Sequence, residues 1–342
     1  MGIALALALA GQAAAGTAGT SLPAVQVTAR AETVPVDTAR GDAADDPAIW
    51  RNPLRPADSL IVATDKKAGL HVYGLDGKPR SYVPAGRVNN VDLVDLGPRG
   101  VIVVASDRND VAAAKLQVYR LDTAGARLVS LGSVSGGAGE AYGVCLVAGK
   151  DGLEAFSILK HGAIQQVRIA LAGEGAGGRA EGRIVRSLQL ATQTEGCVVD
   201  PRSGTLYVGE EDRGIWAFST DPASRKGALV AEADGRQLVA DTEGLTLLPV
   251  GARGGWLIAS SQGDNAYALY RLPGMTPAGR FRIAAGKFGA TEETDGIAAM
   301  PGRFGAIYPD GLFVAQDGHN GAAAQNFKLV SWRDVMAALR RR

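Results

Sequence analysis

Six stretches of the chain repeat one alternation of apolar and polar positions. They are SLIVATDKKAGLHVY (59–73), VIVVASDRNDVAAAKLQVY (101–119), EAFSILKHGAIQQVRI (154–169), TLYVGEEDRGIWAF (205–218), WLIASSQGDNAYALY (256–270) and GLFVAQDGHNGAAAQNFKLVSW (311–332). Each reads as an apolar strand, a polar turn and an alternating strand that ends in an aromatic or aliphatic residue, the pattern of a β-hairpin. A shorter phrase precedes each hairpin and opens an apolar run on a polar residue: DDPAIW, NNVDLV, AYGVCL, QTEGCVVD, DTEGLTLL and ETDGIAAM. Counted on Asp46, Asp92, Tyr142, Glu195, Glu243 and Asp295, these phrases recur every 46 to 53 residues.

A period of about 50 residues built from four short strands is the signature of a β-propeller blade. The pattern therefore predicts an all-β fold, a six-bladed β-propeller with four antiparallel strands per blade around a central channel. Residues 42–342 hold the six units. Helical periodicity is confined to WRDVMAALRRR at the C-terminus, and AVQVTARAETVPV (24–36) is placed to add a strand to the last blade and close the ring. Residues 1–22 differ from the rest. IALALALAGQAAAG is an apolar run too short to span a membrane, followed by an A-x-A-like site at Ala13–Ala15, though no Lys or Arg precedes it. The expected organisation is a signal peptide over 1–22 and one propeller domain over 23–342, secreted or periplasmic.

Charge narrows the partners. The 36 Lys and Arg balance 35 Asp and Glu, so no bulk field favours a nucleic acid. No second apolar run reaches spanning length, so no membrane association of the mature form is expected, and a monomer is. Cys145 and Cys197 make an even count that an exported chain could join, or they are two small buried residues; the sequence leaves both open. GEGAGG (173–178) fits a dinucleotide-binding pattern but lacks its strand–helix context and reads as a loop. His71, His161 and His319 form no metal-ligand spacing.

In a propeller the innermost strands line the channel, so equivalent positions of the six blades meet around one axis. Asp45, Asp46, Asn90, Asp92, Tyr142, Glu195, Glu243 and Asp295 are expected at one end of it. Glu210, Glu211, Asp241, Gln262 and Asp317 fall in the turns beside them. Such a ring of oxygens cannot remain ionised without cations, and hard oxygen donors without His or Cys suit several Ca2+ ions. Lys66, Lys67, Arg108 and Lys160 occupy the matching turns of the first three blades. Cations beside a metal-filled carboxylate ring suit a phosphate group.

The phrases DDPAIW, NNVDLV, AYGVCL, QTEGCVVD, LYVGEEDRGIWAF, DTEGLTLL, ASSQGDNAYALY and GLFVAQDG…NFKLVSW resemble the signature segments of the β-propeller phytases, over about residues 42–332. The resemblance implies a calcium-dependent phosphoric monoester hydrolase of the 3-phytase type, acting on myo-inositol hexakisphosphate. It implies catalytic calcium at Asp46, Tyr142, Glu195, Glu211 and Glu243, phosphate binding by Lys66, Arg108 and Lys160, and a structural calcium at Asp295. Asn90, Asp92, Asp241, Gln262 and Asp317 carry over with less defined roles. Cys145 and Cys197 depart from the family pattern, as do His319 and Asn320 in the loop after Asp317. Two rival readings remain. A calcium propeller hydrolysing lactones or esters would need few cations, and a non-catalytic binding propeller would not need carboxylates in every blade.

Overall fold

The computed structural model describes residues 20–39, 41–149, 152–173 and 178–341. Five consecutive four-strand meanders span Ala44–Val83, Val88–Ala138, Ala141–Gln189, Thr194–Glu232 and Thr242–Ala284. They are blades 1 to 5. Blade 6 takes three strands from Ile297–Ser331 and its fourth from the N-terminal segment, where Ala31 and Glu32 pair antiparallel with Leu329 and Lys328. The first strand of every blade packs against the first strands of both neighbours, and the sixth meets the first, so the ring is closed.

The expectation for residues 24–36 holds at Ala31–Glu32, and the segment does more. Val25–Thr28 runs parallel to the outer strand Thr276–Ala284 of blade 5, which makes that sheet five-stranded. Val27 and Ala29 are buried between blades 5 and 6, so one short stretch staples both. The C-terminal helix α1, Trp332–Arg340, packs Trp332 and Val335 into the same interface.

The alternation of the strands explains where the core sits. A propeller strand has two buried faces, each meeting a neighbouring blade, and each face collects its own apolar cluster. Six such clusters lie between successive blades, one of them between blades 6 and 1. The axis keeps a cavity of about 200 Å³ lined by all six inner strands, with apolar side chains such as Ile49, Val91, Val144 and Leu245 in the majority and Asp46, Asn90 and Asp92 among them.

Cys145 and Cys197 are joined, with Cα atoms 5.7 Å apart, and tie the inner strand of blade 3 to that of blade 4. Most of residues 1–22 and of the GEGAGG loop lies outside the described residues. No helix among the described residues is long and apolar enough to cross a membrane.

Candidate active site

The inner strands of blades 1 to 5 carry the same irregularity near their starts. Pairing with the second strand skips two residues: after Ala44, Val88, Ala141, Thr194 and Thr242 it resumes at Pro47, Val91, Val144, Cys197 and Leu245. The skipped pair is a bulge, which re-aims side chains toward the channel mouth. Its first member is Asp45, Asn89, Tyr142, Glu195 and Glu243 in turn, and Asp295 holds the matching place in blade 6. Its second member is glycine in blades 3 to 6, where backbones approach closely. Gly244 N–H donates to Asp295 O at 2.8 Å, and Gly296 N–H to Asp45 O at 3.1 Å.

This register corrects the sequence count in blades 1 and 2. Asp45 and Asn89, not Asp46 and Asp92, are the partners of Glu195 and Glu243. Asp46 and Asn90 stand in the glycine position. The Asp46 carboxylate accepts from Val91 N–H at 3.1 Å, and Asp92, deeper in the channel, accepts from Leu93 and Leu146 N–H at 2.7 and 2.8 Å. The Asn90 amide, oriented to suit its neighbours, donates to Glu195 Oε1 and to Tyr142 O, each at 3.1 Å.

A second ring follows from the second strands. The residue after each one is Lys66, Arg108, Lys160, Glu211, Gln262 and Gly318. Its N–H donates in every blade to a carbonyl just ahead of the inner bulge: Ala43, Arg87, Glu140, Gln193, Asp241 and Glu292. One backbone geometry thus delivers three cations on one side of the mouth and Glu211 and Gln262 on the other. The last residue of each strand has a different task. Asp65, Asp107, Glu210 and Asp317 all pin loops. Glu210 accepts from Ala191 and Thr192 N–H, Thr192 Oγ1 and Trp216 Nε1 at 2.7–3.0 Å. Asp317 accepts from Glu292 and His319 N–H and pairs with the buried Lys328 ammonium at 3.1 Å. The structure therefore does not bring Glu210 and Asp317 to the mouth. Their oxygens are already occupied.

At the mouth, single carboxylate oxygens of Glu195, Glu211 and Glu243 lie within 4.8 Å of one another, and all three residues are buried. Burial raises the Glu243 carboxyl well above its ordinary range, and Asp295, Glu211, Asp45 and Asp241 push it further. Burial likewise raises Glu195, with Glu243, Asp45 and Asp295 adding to it, and raises Glu211. Asp295 is lifted to about 7 by burial, despite the pull of Lys66. The half-exposed Asp241 sits on the rim, raised by burial and by Asp212. Gln262 Nε2 donates to Asp295 Oδ1 at 2.7 Å.

The cations divide into two groups. The Lys66 ammonium lies 2.7, 3.0 and 2.9 Å from carboxylate oxygens of Asp42, Asp45 and Asp295. Burial would lower its pKa, but Asp45, Asp295 and Asp42 reverse the sign and hold it charged. Arg108 and Lys160 instead flank the Tyr142 ring, at 5.6 and 5.0 Å from its centroid. Burial, reinforced by Glu195, Asp45, Glu211 and Glu243, keeps the Tyr142 phenol protonated. Lys67 is exposed beside Lys66, its N–H donating to Asp65.

A sequence model of the phytase family matches residues 2–342. The chain belongs to that family. It is 38 % identical over 326 residues to the 3-phytase of Bacillus subtilis (strain 168), covering 91 % of this chain and 84 % of that one. Among solved structures, a chain of the mitotic checkpoint complex superposes with a TM-score of 0.48 at 11 % identity, over 97 % of this chain and 84 % of that one. Chaetomium thermophilum Sqt1, solved bound to the N-terminus of ribosomal protein L10, gives 0.47 at 12 %, over 88 % and 90 %. Likeness that distant bears on neither fold nor function here.

Whether the residues of this phytase-family chain fit calcium can be judged from their oxygens. Asp45 Oδ1, Asn89 Oδ1, Thr242 Oγ1 and Glu243 Oε2 are buried at or beside the ring without a hydrogen-bond partner. Buried polar atoms rarely stay unpaired, and these are hard oxygen donors with no His or Cys among them, which suits Ca2+. The set fits. Four partners escaped the sequence reading: Asn89 donates to Glu195 Oε1 at 2.8 Å, and Gln193 to Glu211 Oε1 at 2.7 Å. Glu140 stands 3.7 Å from Arg108, and Asp42 holds Lys66. The available signal was the small residue that follows the ring position in blades 3 to 6; counting back one from it gives Asn89 once Asn90 takes the glycine's place.

Proposed function

We propose that this protein is a calcium-dependent phytase that hydrolyses phosphate monoesters of myo-inositol hexakisphosphate, in the manner the name 3-phytase describes for its relative. The observation that carries this reading is an acidic cluster drawn from both rings of the mouth, set beside three cations of the second ring. Glu195, Glu211 and Glu243 form an oxygen-only cluster, and Lys66, Arg108 and Lys160 come from the turns of blades 1 to 3 that match the Glu211 turn of blade 4.

Glu195, Glu211, Glu243 and Asp45 would hold Ca2+, with Asn89 and Gln193 fixing the orientation of the carboxylates they touch. Bound there, calcium would supply Lewis acidity toward phosphate oxygens and lower the pKa of a water molecule. Lys66, Arg108 and Lys160 pair with the oxygens of a phosphate and offset the negative charge that gathers on them as the ester bond breaks. Arg108 and Lys160 also pack against the Tyr142 ring, and its protonated hydroxyl is a hydrogen-bond donor to an incoming oxygen. The polyanionic substrate is recognised by charge, since a carboxylate ring alone would repel it. Three aligned cations disfavour a lactone or ester as the substrate.

We further propose export and action as a single chain. The Cys145–Cys197 bond belongs to oxidising compartments, and every blade is completed by strands of this one chain. Phosphate release from phytate, with calcium and with a chelator, tests the enzyme reading. Folded protein that releases none in either condition would refute it.

A further inference from the structure

Lys66 differs from the other cations of the site in where its charge sits. Its ammonium lies among the carboxylates, within 3.0 Å of Asp45 and Asp295, whereas Arg108 and Lys160 lie against Tyr142. Asp45 is almost fully buried and Asp295 largely so, with 16 % of its side chain exposed, while Asp42, the third partner at 2.7 Å, is two-thirds exposed. The ammonium is therefore held from two sides, by two inner oxygens and by one at the rim. Asp45 also keeps a buried Oδ1 with no partner.

An ammonium and a divalent cation make the same demand on Asp45 and Asp295, and these carboxylates cannot serve both fully. The four-carbon stem of Lys66 starts from a turn at the mouth, so its head can leave the inner pair by moving toward Asp42 and the open side. We propose that Lys66 is a tethered counter-cation that couples the two halves of the site. A divalent cation entering the ring displaces its ammonium from Asp45 and Asp295, and the released side chain becomes available to phosphate. This inference rests on the calcium-dependent reading above and adds an order to it: the cation first, then a phosphate-competent lysine. Linkage then requires the converse, that an anion engaging Lys66 strengthens cation binding.

The intact wild-type chain tests this through the reactivity of one amine. Reductive methylation followed by peptide mass spectrometry reads Lys66 directly, with the exposed Lys226 as control. Calcium should speed Lys66 methylation about fivefold or more while leaving Lys226 unchanged, and myo-inositol hexasulfate added with calcium should protect Lys66 again. Calorimetry should find that Lys66→Met binds calcium about tenfold more tightly than wild type, because the competitor is gone. If wild type binds calcium yet Lys66 stays equally unreactive, the coupling is overturned and the phytase reading survives. If wild type binds no calcium, the calcium reading falls and the coupling with it. The labelling uses wild-type protein and so stands even if Lys66→Met does not fold.

Discussion

A Cβ placed on Gly196 would stand 2.1 Å from the carbonyl oxygen of Glu243 in the next blade. That separation is far inside van der Waals contact, so the spacing of the inner strands of blades 4 and 5 depends on a missing side chain. Gly196→Ala must push the two strands apart, and they carry Glu195 and Glu243. Urea unfolding should show a loss of about 3 kcal/mol, typical of severe overpacking. Calorimetry on the folded variant should show weaker calcium binding. Unchanged stability would mean that the inner ring is more compliant than its geometry implies.

Glu243 has one buried oxygen with no hydrogen-bond partner and a carboxyl that its neighbours push toward the neutral form. Glu243→Gln keeps the shape and removes the charge. Stability in chelator should hold or rise, since a repulsive charge has left the cluster. Phosphate release in calcium should fall roughly 100-fold or more, comparable to removing one charge-stabilising group from a hydrolase site. Full activity in this variant would take Glu243 out of the site.

The fold was legible because its repeat is long, regular and written in apolar runs. The six hairpins and the C-terminal helix fall where the alternation places them. The closing strand at Ala31–Glu32 is only two residues long, and the stretch around it also serves blade 5, which no local pattern announces. The site was legible to within a residue or two. The repeat counts through Asp46 and Asp92, with Asp45 beside the first, but the bulge puts Asp45 and Asn89 at the ring, and a bulge is fixed by pairing rather than by composition. Asp42, Glu140 and Gln193 were missed for another reason. Each acts on a side chain delivered by a different strand, and nothing in their own sequence neighbourhood says so.

Acid titration should run in an unusual direction. Asp295 is lifted from 3.8 to about 7, chiefly by burial, and burial also raises Asp46, Glu195 and Glu243. The unfolded chain releases these protons near pH 4, whereas folded Asp295 keeps its proton until about 7 and Asp46, Glu195 and Glu243 keep theirs well above the ordinary carboxylate range. Between those limits the folded state binds more protons, so stability falls as pH rises, by on the order of a few kcal/mol. In chelator the thermal midpoint should drop from about pH 5 to about pH 8. In calcium the drop should shrink, because the ring then ionises against a cation. A midpoint that climbs with pH in chelator would contradict the electrostatic picture of the ring.

The Cys145–Cys197 bond closes a loop of 52 residues across two inner strands. Restricting a loop of that length in the unfolded chain is worth about 4 kcal/mol in the chain-entropy estimate. Cys145→Ser/Cys197→Ser should lose stability of that order in urea, and a reductant should lower the wild-type midpoint but not that of the double variant. Calcium-dependent turnover at low temperature should persist, since neither sulfur is placed at the ring.

Glu210 and Glu211 are adjacent in sequence and opposite in role. Glu210 ends its strand and gathers four donors from Ala191, Thr192 and Trp216. Burial opposes ionisation there, but those bonds outweigh it and hold the carboxyl below its ordinary range. Glu211 turns into the cluster with Glu195 and Glu243, where burial raises it and a single amide, from Gln193, touches it. Glu210→Ala leaves buried donors unpaired and should cost about 2–3 kcal/mol in unfolding experiments, with little change in calcium affinity. Glu211→Ala should do the reverse, weakening calcium binding roughly tenfold or more while stability in chelator holds. Measuring both quantities on both variants separates the loop pin from the proposed metal ligand. If Glu210→Ala loses calcium and keeps its stability, the register that assigns the two rings is wrong.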